Sequence, residues 1–422
     1  MLEIQKLRIE KDQIIEYLNK RCVDYSSSID EAISIDGEWR IIKTELENFS
    51  AESNKLAKEI GNKYKQGLIE EANVLKEQAA SLKGKESELK EKVEQLDKQL
   101  SSILYTIPNV PNSLVKKGKS AEENEIVMEY GNAPTFDFKA MEHWDLAKKH
   151  RCIDFELGVK VTGAGFPFYR NKGARLQRAL ISFFLDEANR AGYEEFISPH
   201  VVNEASGIGT GQLPDKEGQM YFIGEDHLYL IPTAEVPLTN IYRDHLFSNE
   251  DFSIKMCGYT PCFRREAGSY GKDVRGLNRL HQFDKVEIVR IEHPDNTEKA
   301  LDEMVEHVSG LLKKLGLQFR VLRLCGGDMG FAAAMTYDFE VYSAAQEKWL
   351  EVSSVSRFDT FQSNRLKLRF KGSDKKSRLA HTLNGSALAL PRIMAAIMEN
   401  FQTSDSIVIP EVLRPYTGFD TI

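Results

Sequence analysis

Residues 259–287, YTPCFRREAGSYGKDVRGLNRLHQFDKVE, decide the fold of the C-terminal part of this 422-residue chain. Two strand-like runs flank a charged, glycine-containing loop, a pattern that predicts an antiparallel hairpin. Arg264 and Glu266 begin the loop, and Phe283 and Glu287 lie on the returning strand. An arginine fork can hold phosphate, a phenyl face can stack on a purine, and a carboxylate can accept from an ammonium or hydroxyl group. The segment suits a nucleotide with a small polar substrate, although a plain hairpin with a charged tip has the same residue types.

Three further segments carry polar residues that could join this hairpin. HTLNGSALALPRIMAAIMEN (381–400) passes from a polar strand into an apolar helix that carries Arg392, and taken alone it is typical of a buried helix with one arginine reaching solvent. LIPTAEVPLTN (230–240) precedes the hairpin, and LEVSSVSRFDTFQ (350–362) lies between the hairpin and the segment 381–400. From about residue 121 onward, strand-like runs alternate with helical stretches such as 173–191 and 296–315, which predicts an α+β domain.

The region 36–105 has two apolar seams with spacings of three and four, which predicts two coiled-coil helices that fold back near Gly67. In an antiparallel pairing the partner numbers sum to 135, so Leu46 lies opposite Leu89. Each helix of roughly 30 residues would be about 45 Å long. The seams contain the following residues: Trp39, Ile42, Leu46, Phe49, Ser53, Leu56 and Ile60 in the first, and Leu75, Ala79, Leu82, Glu86, Leu89, Val93, Leu96 and Leu100 in the second.

Charge and cysteine content narrow the class of protein. The formal net charge is −8, so a nucleic acid would have to bind a local basic surface. Such a surface is available in residues 55–85, where seven lysines outnumber four glutamates, although a solvated coiled-coil face has similar composition. Five scattered cysteines indicate a reducing cytoplasm, and Cys257 and Cys262 are expected in the core rather than at a zinc ion. We find no secretory segment and no apolar run of about 18 residues, so we expect no membrane span.

The spacing of FRREAG and LNRLHQFDKVE resembles motif 2 of class II aminoacyl-tRNA synthetases, and the segment around Arg392 resembles motif 3. The segments 230–240 and 350–362 resemble one member family, the bacterial-type seryl-tRNA synthetases. The resemblance covers nearly the whole chain. It implies a catalytic domain on an antiparallel β-sheet flanked by helices, an N-terminal antiparallel coiled-coil arm, and a homodimer formed through a motif 1 centred on Pro199.

The resemblance also implies the reaction and the residues that bind ATP and Mg²⁺. Serine would attack the α-phosphorus of ATP to give seryl-adenylate and pyrophosphate, with Arg264 and Arg392 as catalytic cations. Phe283 would stack under adenine, and Glu351 and Ser354 would bind Mg²⁺. No zinc is expected. The complete set of ATP-binding residues expected is Arg264, Arg265, Glu266, Arg279, Phe283, Glu351, Val352, Ser353, Ser354 and Arg392.

Serine and tRNA are likewise assigned by resemblance. Serine would then pass to the 3′-terminal adenosine of tRNA-Ser, whose long variable arm the coiled coil would bind; whether tRNA-Sec is also charged depends on the host. The serine-binding residues expected are Thr233, Ala234, Glu235, Arg264, Glu287, Thr382, Asn384 and Ser386. The tRNA-binding residues expected are Lys55, Lys58, Lys63, Lys65, Lys76, Lys83 and Lys85 on the arm, with Arg265, Lys272 and Arg275 on the motif 2 loop.

The family resemblance implies the domain organisation, and two prolines that interrupt the helical pattern indicate where the linker lies. We expect an N-terminal tRNA-binding domain (1–110) with the arm at about 36–105, a linker (111–120) and the catalytic domain (121–422). His281 and His381 are expected to be structural.

The chain departs from the family pattern at Arg265, Met335 and Arg357, where a small residue, lysine and asparagine are usual. None of these departures removes a motif-defining residue. Two other interpretations remain open: a related ligase that charges a carrier protein, against which the complete arm argues, and a coiled-coil adaptor with an inactive body, against which the retained Arg264, Glu287 and Arg392 argue.

Overall fold

The computed structural model of the chain describes residues 1–215, 218–266 and 275–422. These residues form two compact units. One unit contains residues 2–16 and 23–108, and the other contains Met1, residues 17–22 and residues 109–422. We call them the arm unit and the body unit. Among the described residues, no helix is both long and apolar enough to cross a membrane.

The arm unit is helical, with α1 (Ile4–Ile9), most of α2 (Lys11–Leu18), α3 (Ser26–Lys65) and α4 (Ile69–Leu104). Helices α3 and α4 pair along their length, and the turn between them contains Gly67 at a φ of +76°, as the sequence predicts. Helix α3 begins ten residues before the predicted start at 36, because Ile29 and Ala32 are buried together with Leu7 of α1. Its 40 residues extend over about 60 Å.

Contacts across the hairpin confirm the predicted register. Ser50 Oγ donates to Glu86 Oε1 at 2.7 Å, Lys85 Nζ lies 5.9 Å from the centre of the Phe49 ring, and Lys63 Nζ lies 2.6 Å from Glu71 Oε2. These partner numbers sum to between 134 and 136, close to the predicted 135. The seam residues are half-buried in the distal part of the hairpin, and Leu96 and Leu100 at its base are buried.

The body unit is built on a sheet of eight described strands in the order β1-β11-β12-β13-β16-β10-β9-β4, antiparallel except for the pair β4 and β9. Its strands are β1 (Glu125–Tyr130), β4 (Glu194–Glu195), β9 (Ser253–Phe263), β10 (Gln282–Glu292), β11 (Phe319–Arg323), β12 (Met335–Ser343), β13 (Lys348–Asp359) and β16 (His381–Ala389). The smaller sheets contain β2 (Ile153–Asp154), β3 (Phe168–Tyr169), β5 (Val201–Asn203), β6 (Phe222–Ile223), β7 (Leu228–Leu230), β8 (Leu246–Phe247), β14 (Arg369–Lys371) and β15 (Ser377–Leu379).

Helices pack on this sheet and enclose the main core. They are α5 (His143–His150), α6 (Phe155–Val161), α7 (Asn171–Arg190), α8 (Glu204–Thr210), α9 (Glu235–Asn240), α10 (Thr297–Lys314), α11 (Phe361–Leu366), α12 (Leu390–Asn400) and α13 (Arg414–Thr417). Every residue of α12 is buried except Arg392, which is half-exposed. Helix α12 contacts α5, α7 and the strands β10, β12 and β13, so the position of Arg392 is fixed by the core around it.

The segment expected to be a linker, 111–120, lies within the body unit. Val115 is 2% exposed and belongs to the main core, and Asn112 N donates to Ala334 O at 2.8 Å. Just before it, Asn109 Nδ2 donates to Phe358 O at 2.8 Å. The two prolines that interrupt the helical pattern therefore begin a segment that is packed and hydrogen-bonded. Cys257 and Cys262 are fully buried on β9, which confirms that they are core residues.

Candidate functional site

The polar residues predicted from separate segments meet on four adjacent strands, β9, β10, β16 and β13. Glu287 of β10 lies opposite Ser386 of β16 and Gly258 of β9. Asn384 of β16 lies between Val289 of β10 and Ser356 of β13. Motif-bearing segments that are distant in sequence are therefore neighbours, because the sheet interleaves them.

One group of side chains forms a buried acidic cluster, which we define as Thr233, Glu235, Glu287, Gln362 and Thr382. Thr233 Oγ1 donates to Glu287 Oε2 at 3.0 Å and accepts from the backbone N–H of Glu235 at 3.2 Å. Gln362 Nε2 donates to Glu235 Oε1 at 2.7 Å, and Thr382 Oγ1 donates to Gln362 Oε1 at the same distance. All five residues are less than 9% exposed.

The charges in this cluster are close enough to affect one another. Burial, and after it the charge of the nearby Glu287, raise the pKa of Glu235 to about 7, against the opposing effects of the Gln362 amide and the charge of Lys285. Lys285 Nζ lies 2.5 Å from Glu287 Oε2, and its side chain is 7% exposed. Asn384 is near enough to influence Glu235, but its buried Nδ2 has no hydrogen-bond partner among the described residues. The two carboxylates of the cluster therefore lie beside one cation, Lys285, and one donor without a partner among the described residues, Asn384 Nδ2. This arrangement suits a ligand with a positive charge and a hydroxyl group.

The arginine and aromatic residues of motif 2 are placed next to this cluster. The Cζ atom of Arg264 lies 5.2 Å from the centre of the half-buried Phe283 ring, and Arg264 Nε donates to Pro232 O at 3.4 Å. Glu266 pairs with Arg279, and Glu266 has a φ of +46°. A phosphate group and a flat ring would both find partners here.

Arg392 approaches the same region from α12. Its Nη1 donates to Glu351 O at 2.6 Å, and its Nε donates to Asn278 O at 3.0 Å. Asn278 Nδ2 in turn donates to Gln346 Oε1 at 3.0 Å. The backbone therefore aims the guanidinium towards Glu351, whose Oε2 lies 3.6 Å from Arg392 Nη1.

A buried hydrogen-bond network connects the residues around Arg392. Glu399 of α12 accepts from Gln346 Nε2 at 2.9 Å, from Ser343 Oγ, and from the backbone N–H of His143 at 2.9 Å. His143 Nδ1 also lies 2.6 Å from Glu399 Oε1, and His143 Nε2 accepts from Leu277 N at 2.8 Å. Motif 3, the β12–β13 turn and the end of the motif 2 loop are thus joined through one carboxylate.

The residues expected at Mg²⁺ lie on β13 beside a further acid. Glu351 is exposed and Ser354 is half-buried, and Ser354 lies opposite Asp338 of β12. Burial raises the pKa of Asp338, Glu351 adds to the effect, and Asp338 Oδ1 is buried with no hydrogen-bond partner among the described residues. An orphaned carboxylate oxygen beside a second acid and a hydroxyl is a set of hard donors that Mg²⁺ accepts.

The remaining predicted residues differ in their surroundings. Val352 is part of the core, Ser353 Oγ donates to Ser386 O at 2.5 Å, and Ala234 is fully buried. These residues contribute backbone and packing to the region. His281 lies just before β10, where its Nδ1 contacts Arg264 O at 3.1 Å, and His381 begins β16.

The residues expected to meet tRNA are mostly exposed. Arg265 lies above the Tyr221 ring and Arg275 above the Trp144 ring, with Cζ atoms 5.8 Å and 4.6 Å from the ring centres. Lys272 lies outside the described residues. On the arm, six lysines are exposed and Lys63, paired with Glu71, is half-buried: Lys55, Lys58, Lys65, Lys76, Lys83 and Lys85 make up the exposed set.

Two departures from the family pattern turn out to be neighbours. Met335 on β12 lies directly opposite Arg357 on β13. Arg357 is 6% exposed and pairs with Glu298 and with Asp359, whose Oδ1 lies 2.7 Å from Arg357 Nη2. The family's usual lysine is absent at position 335, but Arg357 supplies a cation at the opposite position of the neighbouring strand. Spacing along the sequence does not reveal this pairing.

Several residues of the site carried no assignment from the sequence. Lys285 could have been found, because it is two residues from Glu287 on a strand and so shares its face. Asn278 and Gln362 stand within the motif segments 277–287 and 350–362 but had no role assigned to them there, and Asp338 had no signal. Their places depend on neighbouring strands and on helix α11.

Comparisons with known proteins agree with this geometry. Residues 222–401 match the tRNA synthetase class II core domain (G, H, P, S and T), and residues 1–111 match the seryl-tRNA synthetase N-terminal domain. The chain is 48% identical to the serine–tRNA ligase of Salinibacter ruber, over all of this chain and 99% of the relative. It is 44% identical to that of Sulfurovum sp., over 99% of this chain and all of the relative.

Solved structures are also similar to the whole chain. The seryl-tRNA synthetase of Pyrococcus horikoshii, solved with ATP, has a TM-score of 0.91 and 33% identity, covering 100% of this chain and 99% of that one. The enzyme of Naegleria fowleri, solved with AMP, has a TM-score of 0.86 and 27% identity, covering 100% and 98%. The predicted fold class, an antiparallel sheet flanked by helices with a helical N-terminal arm, is confirmed.

Proposed function

Because this chain belongs to the seryl-tRNA synthetase family of class II aminoacyl-tRNA synthetases, we propose that its acidic cluster is the serine-binding site. The protein is a serine–tRNA ligase. It activates L-serine with ATP to seryl-adenylate and pyrophosphate, and it then transfers serine to the 3′-terminal adenosine of tRNA-Ser. The observation that carries the proposed site is the buried pair of carboxylates, Glu235 and Glu287, held among hydroxyl groups.

In the serine site, Glu287 receives the ammonium group, and the hydroxyl group is held by acceptors of the same cluster. Glu287 already faces the Lys285 ammonium group at 2.5 Å, which supports its role as a cation acceptor. Ser386 lies opposite Glu287, and the unused Nδ2 of Asn384 supplies a donor for the carboxylate or carbonyl oxygen of the substrate. A substrate without the hydroxyl group leaves a buried acceptor unpaired, at a cost of about 1–3 kcal/mol.

In the ATP site, Arg264 and Arg392 supply the fixed positive charge that stabilises the negative charge developing on the phosphates. Phe283 provides the surface for adenine, and Glu266 and Arg279 exchange their mutual pairing for contacts with the nucleotide. No protein nucleophile is needed, because the serine carboxylate attacks phosphorus directly. The second step is an attack by the adenosine hydroxyl group, with Arg265 and Arg275 near the acceptor end of the tRNA. Lys272 is assigned to the same step by the family resemblance alone.

The donors around Glu351 fit Mg²⁺. Glu351, Ser354 and the orphaned Oδ1 of Asp338 are oxygen ligands, and Mg²⁺ bound with ATP takes few ligands from protein and several from phosphate and water. When bound, Mg²⁺ neutralises charge on the phosphates. Glu351 lies beside Arg392, because Arg392 Nη1 donates to the backbone oxygen of Glu351, so the phosphates would lie near the guanidinium group.

The oligomer and location also belong to this proposal. Ile197, in the motif 1 segment, is 94% exposed, and Phe168, Phe222 and Val161 are 42%, 51% and 65% exposed. A second copy of the chain is the partner that the family predicts, and these exposed apolar side chains are available to a partner. Light scattering tests this: a mass of twice 48.0 kDa is expected. The five free cysteines agree with a cytoplasmic location.

Serine-dependent ATP–pyrophosphate exchange tests the serine site. We expect Glu287→Ala to abolish exchange while ATP binding, measured by calorimetry, stays close to that of the unmodified protein. Glu292→Gln is the matched control, because Glu292 is equally buried on the same strand and pairs with Arg290 outside the cluster. Near-normal exchange by the Glu287 variant would remove Glu287 from the serine site, and exchange without tRNA charging by the unmodified protein would instead favour the carrier-protein ligase.

A further inference from the structure

Gln362 occupies a central place between two residues of the proposed serine site. It lies on α11, is 1% exposed, and contacts three partners. Its Nε2 donates to Glu235 Oε1 at 2.7 Å and to Thr210 O at 3.1 Å, while its Oε1 accepts from Thr382 Oγ1 at 2.7 Å. A carboxylate and a backbone carbonyl can only accept, so the orientation of the Gln362 amide is fixed by its partners.

This fixed amide decides what Thr382 and Glu235 offer to a ligand. The hydroxyl hydrogen of Thr382 is used in the bond to Gln362, so Thr382 Oγ1 has only lone pairs left. Glu235 accepts from Gln362 through one oxygen, and its second oxygen remains an acceptor. On the other side of the cluster, Thr233 is also committed, because it donates to Glu287. The cluster therefore presents acceptors, and the ligand has to bring the donors.

We propose that Gln362 is a positioning residue for serine selection: it orients Thr382 and Glu235 so that both present acceptors to the ammonium and hydroxyl groups of serine. The proposal rests on the assignment of the acidic cluster to serine. It adds a residue outside the serine-binding set inferred from the family motifs. Gln362 makes no contact with the arginines of the ATP site among its hydrogen bonds, so its effect should be confined to the amino acid.

The pKa of Glu235 allows the positioning role of Gln362 to be tested by the pH dependence of activity. Burial and Glu287 raise the pKa of Glu235 to about 7, and Gln362, Lys285 and Asn384 oppose that rise. Loss of the Gln362 donor removes one of the opposing contributions, so the pKa of Glu235 increases. A carboxyl group with a higher pKa stays protonated to a higher pH. The acid limb of serine-dependent kcat/KM therefore moves to higher pH in a Gln362 variant.

Pyrophosphate exchange on the full-length protein tests the proposal, with KM measured separately for serine and for ATP between pH 6 and 9. Gln362→Met keeps the side-chain volume close to that of glutamine and removes all three hydrogen bonds of the amide. We expect its serine KM to rise at least tenfold, its ATP KM to change less than twofold, and its acid limb to move upwards. The variant's kcat/KM in pyrophosphate exchange should fall more with serine than with alanine, because alanine has no hydroxyl group. Ser363→Ala is the matched control, because Ser363 is equally buried on α11 and its Oγ has no hydrogen-bond partner among the described residues.

Two further variants keep the test decisive. Gln362→Glu retains an acceptor for Thr382 but places a carboxyl group against Glu235, so it should shift the acid limb further while binding ATP normally. In a double-mutant cycle, Gln362→Met combined with Thr382→Val should cost much less than the product of the single effects, because both remove one unit. Multiplicative effects, equal changes in both KM values, or an unchanged serine KM and pH limb would overturn the proposal. Absence of exchange in the unmodified protein would instead refute the serine assignment itself.

Discussion

Shortening the coiled-coil hairpin by two heptads in each helix gives a sharp prediction about tRNA binding. Deleting residues 47–60 and 75–88 joins Leu46 to Gly61 and Val74 to Leu89, so the partner sum of 135 and the native turn at Gly67 are both retained. We expect a folded protein whose serine-dependent pyrophosphate exchange is within twofold of that of the full chain, because the exchange site lies in the body unit. We expect charging of tRNA-Ser to fall strongly.

The magnitude follows from the geometry and the charges removed. Fourteen residues per helix shorten the hairpin by about 21 Å. The deletion also removes five of the seven lysines of the distal arm, Lys55, Lys58, Lys76, Lys83 and Lys85, all of them exposed. If each contacts a phosphate, the slope of log binding constant against log salt concentration becomes smaller by about 0.7–0.9 for each contact, or about 3.5–4.5 in total. These five lysines are half of the ten cations expected to contact tRNA, so about half of the salt dependence of tRNA binding should disappear with the deletion.

Aminoacylation and filter binding at 50 to 200 mM salt measure both quantities. A variant of full length with the same five lysines replaced by glutamine separates charge from length. It should lose the same part of the salt dependence as the deletion, whereas only the deletion also shortens the arm. Circular dichroism checks that both helices form. Full charging by the deletion variant with an unchanged salt slope would refute the role of the distal arm, and loss of exchange would refute the independence of the two units.

Three other perturbations test packing and electrostatics. In the arm, Gly67→Ala should destabilise by about 1–2 kcal/mol because its φ is +76°, whereas Gly61→Ala, inside α3 with open space around it, should stabilise by about 1 kcal/mol; thermal melts of the two variants should move in opposite directions. Burial lowers the pKa of His307 to about 4, so the folded protein holds this side chain neutral, and about 3 kcal/mol of stability is lost as the pH falls from 6.5 to 4. His307→Gln should make the free energy of unfolding depend less on pH over that range. An unchanged pH dependence would contradict the assignment. Glu399→Gln places an amide group where His143 and Ser343 now donate to a carboxylate, at a cost of about 1–3 kcal/mol for each donor left unpaired. The melting temperature should therefore fall, and the KM for ATP should rise more than the KM for serine. Equal changes in the two KM values would show that the network does not position Arg392.

Local patterns in the sequence were enough to predict the elements with strong periodicity. The coiled-coil register followed from the heptad spacing, because each helix residue has a fixed angular position and a shift in pairing would expose the seam. The motif 2 hairpin, β9 with β10, and the change from β16 to α12 at motif 3 were also predictable, because strand alternation and the apolar helix that follows are local properties of the chain. The buried cysteines and the family assignment required no structure either.

Tertiary structure decided which of these polar residues touch. Glu287 faces Ser386 only because β10 and β16 are neighbours in the sheet, although they are separated by three intervening strands of that sheet and helix α10 in the chain. The start of α3 at Ser26 depends on burial against α1, which the heptad pattern does not record. Gln362 and Asp338 acquired their importance from burial. A buried polar group must find a partner, and for these two residues that partner is set by which segments the fold packs together rather than by spacing along the chain.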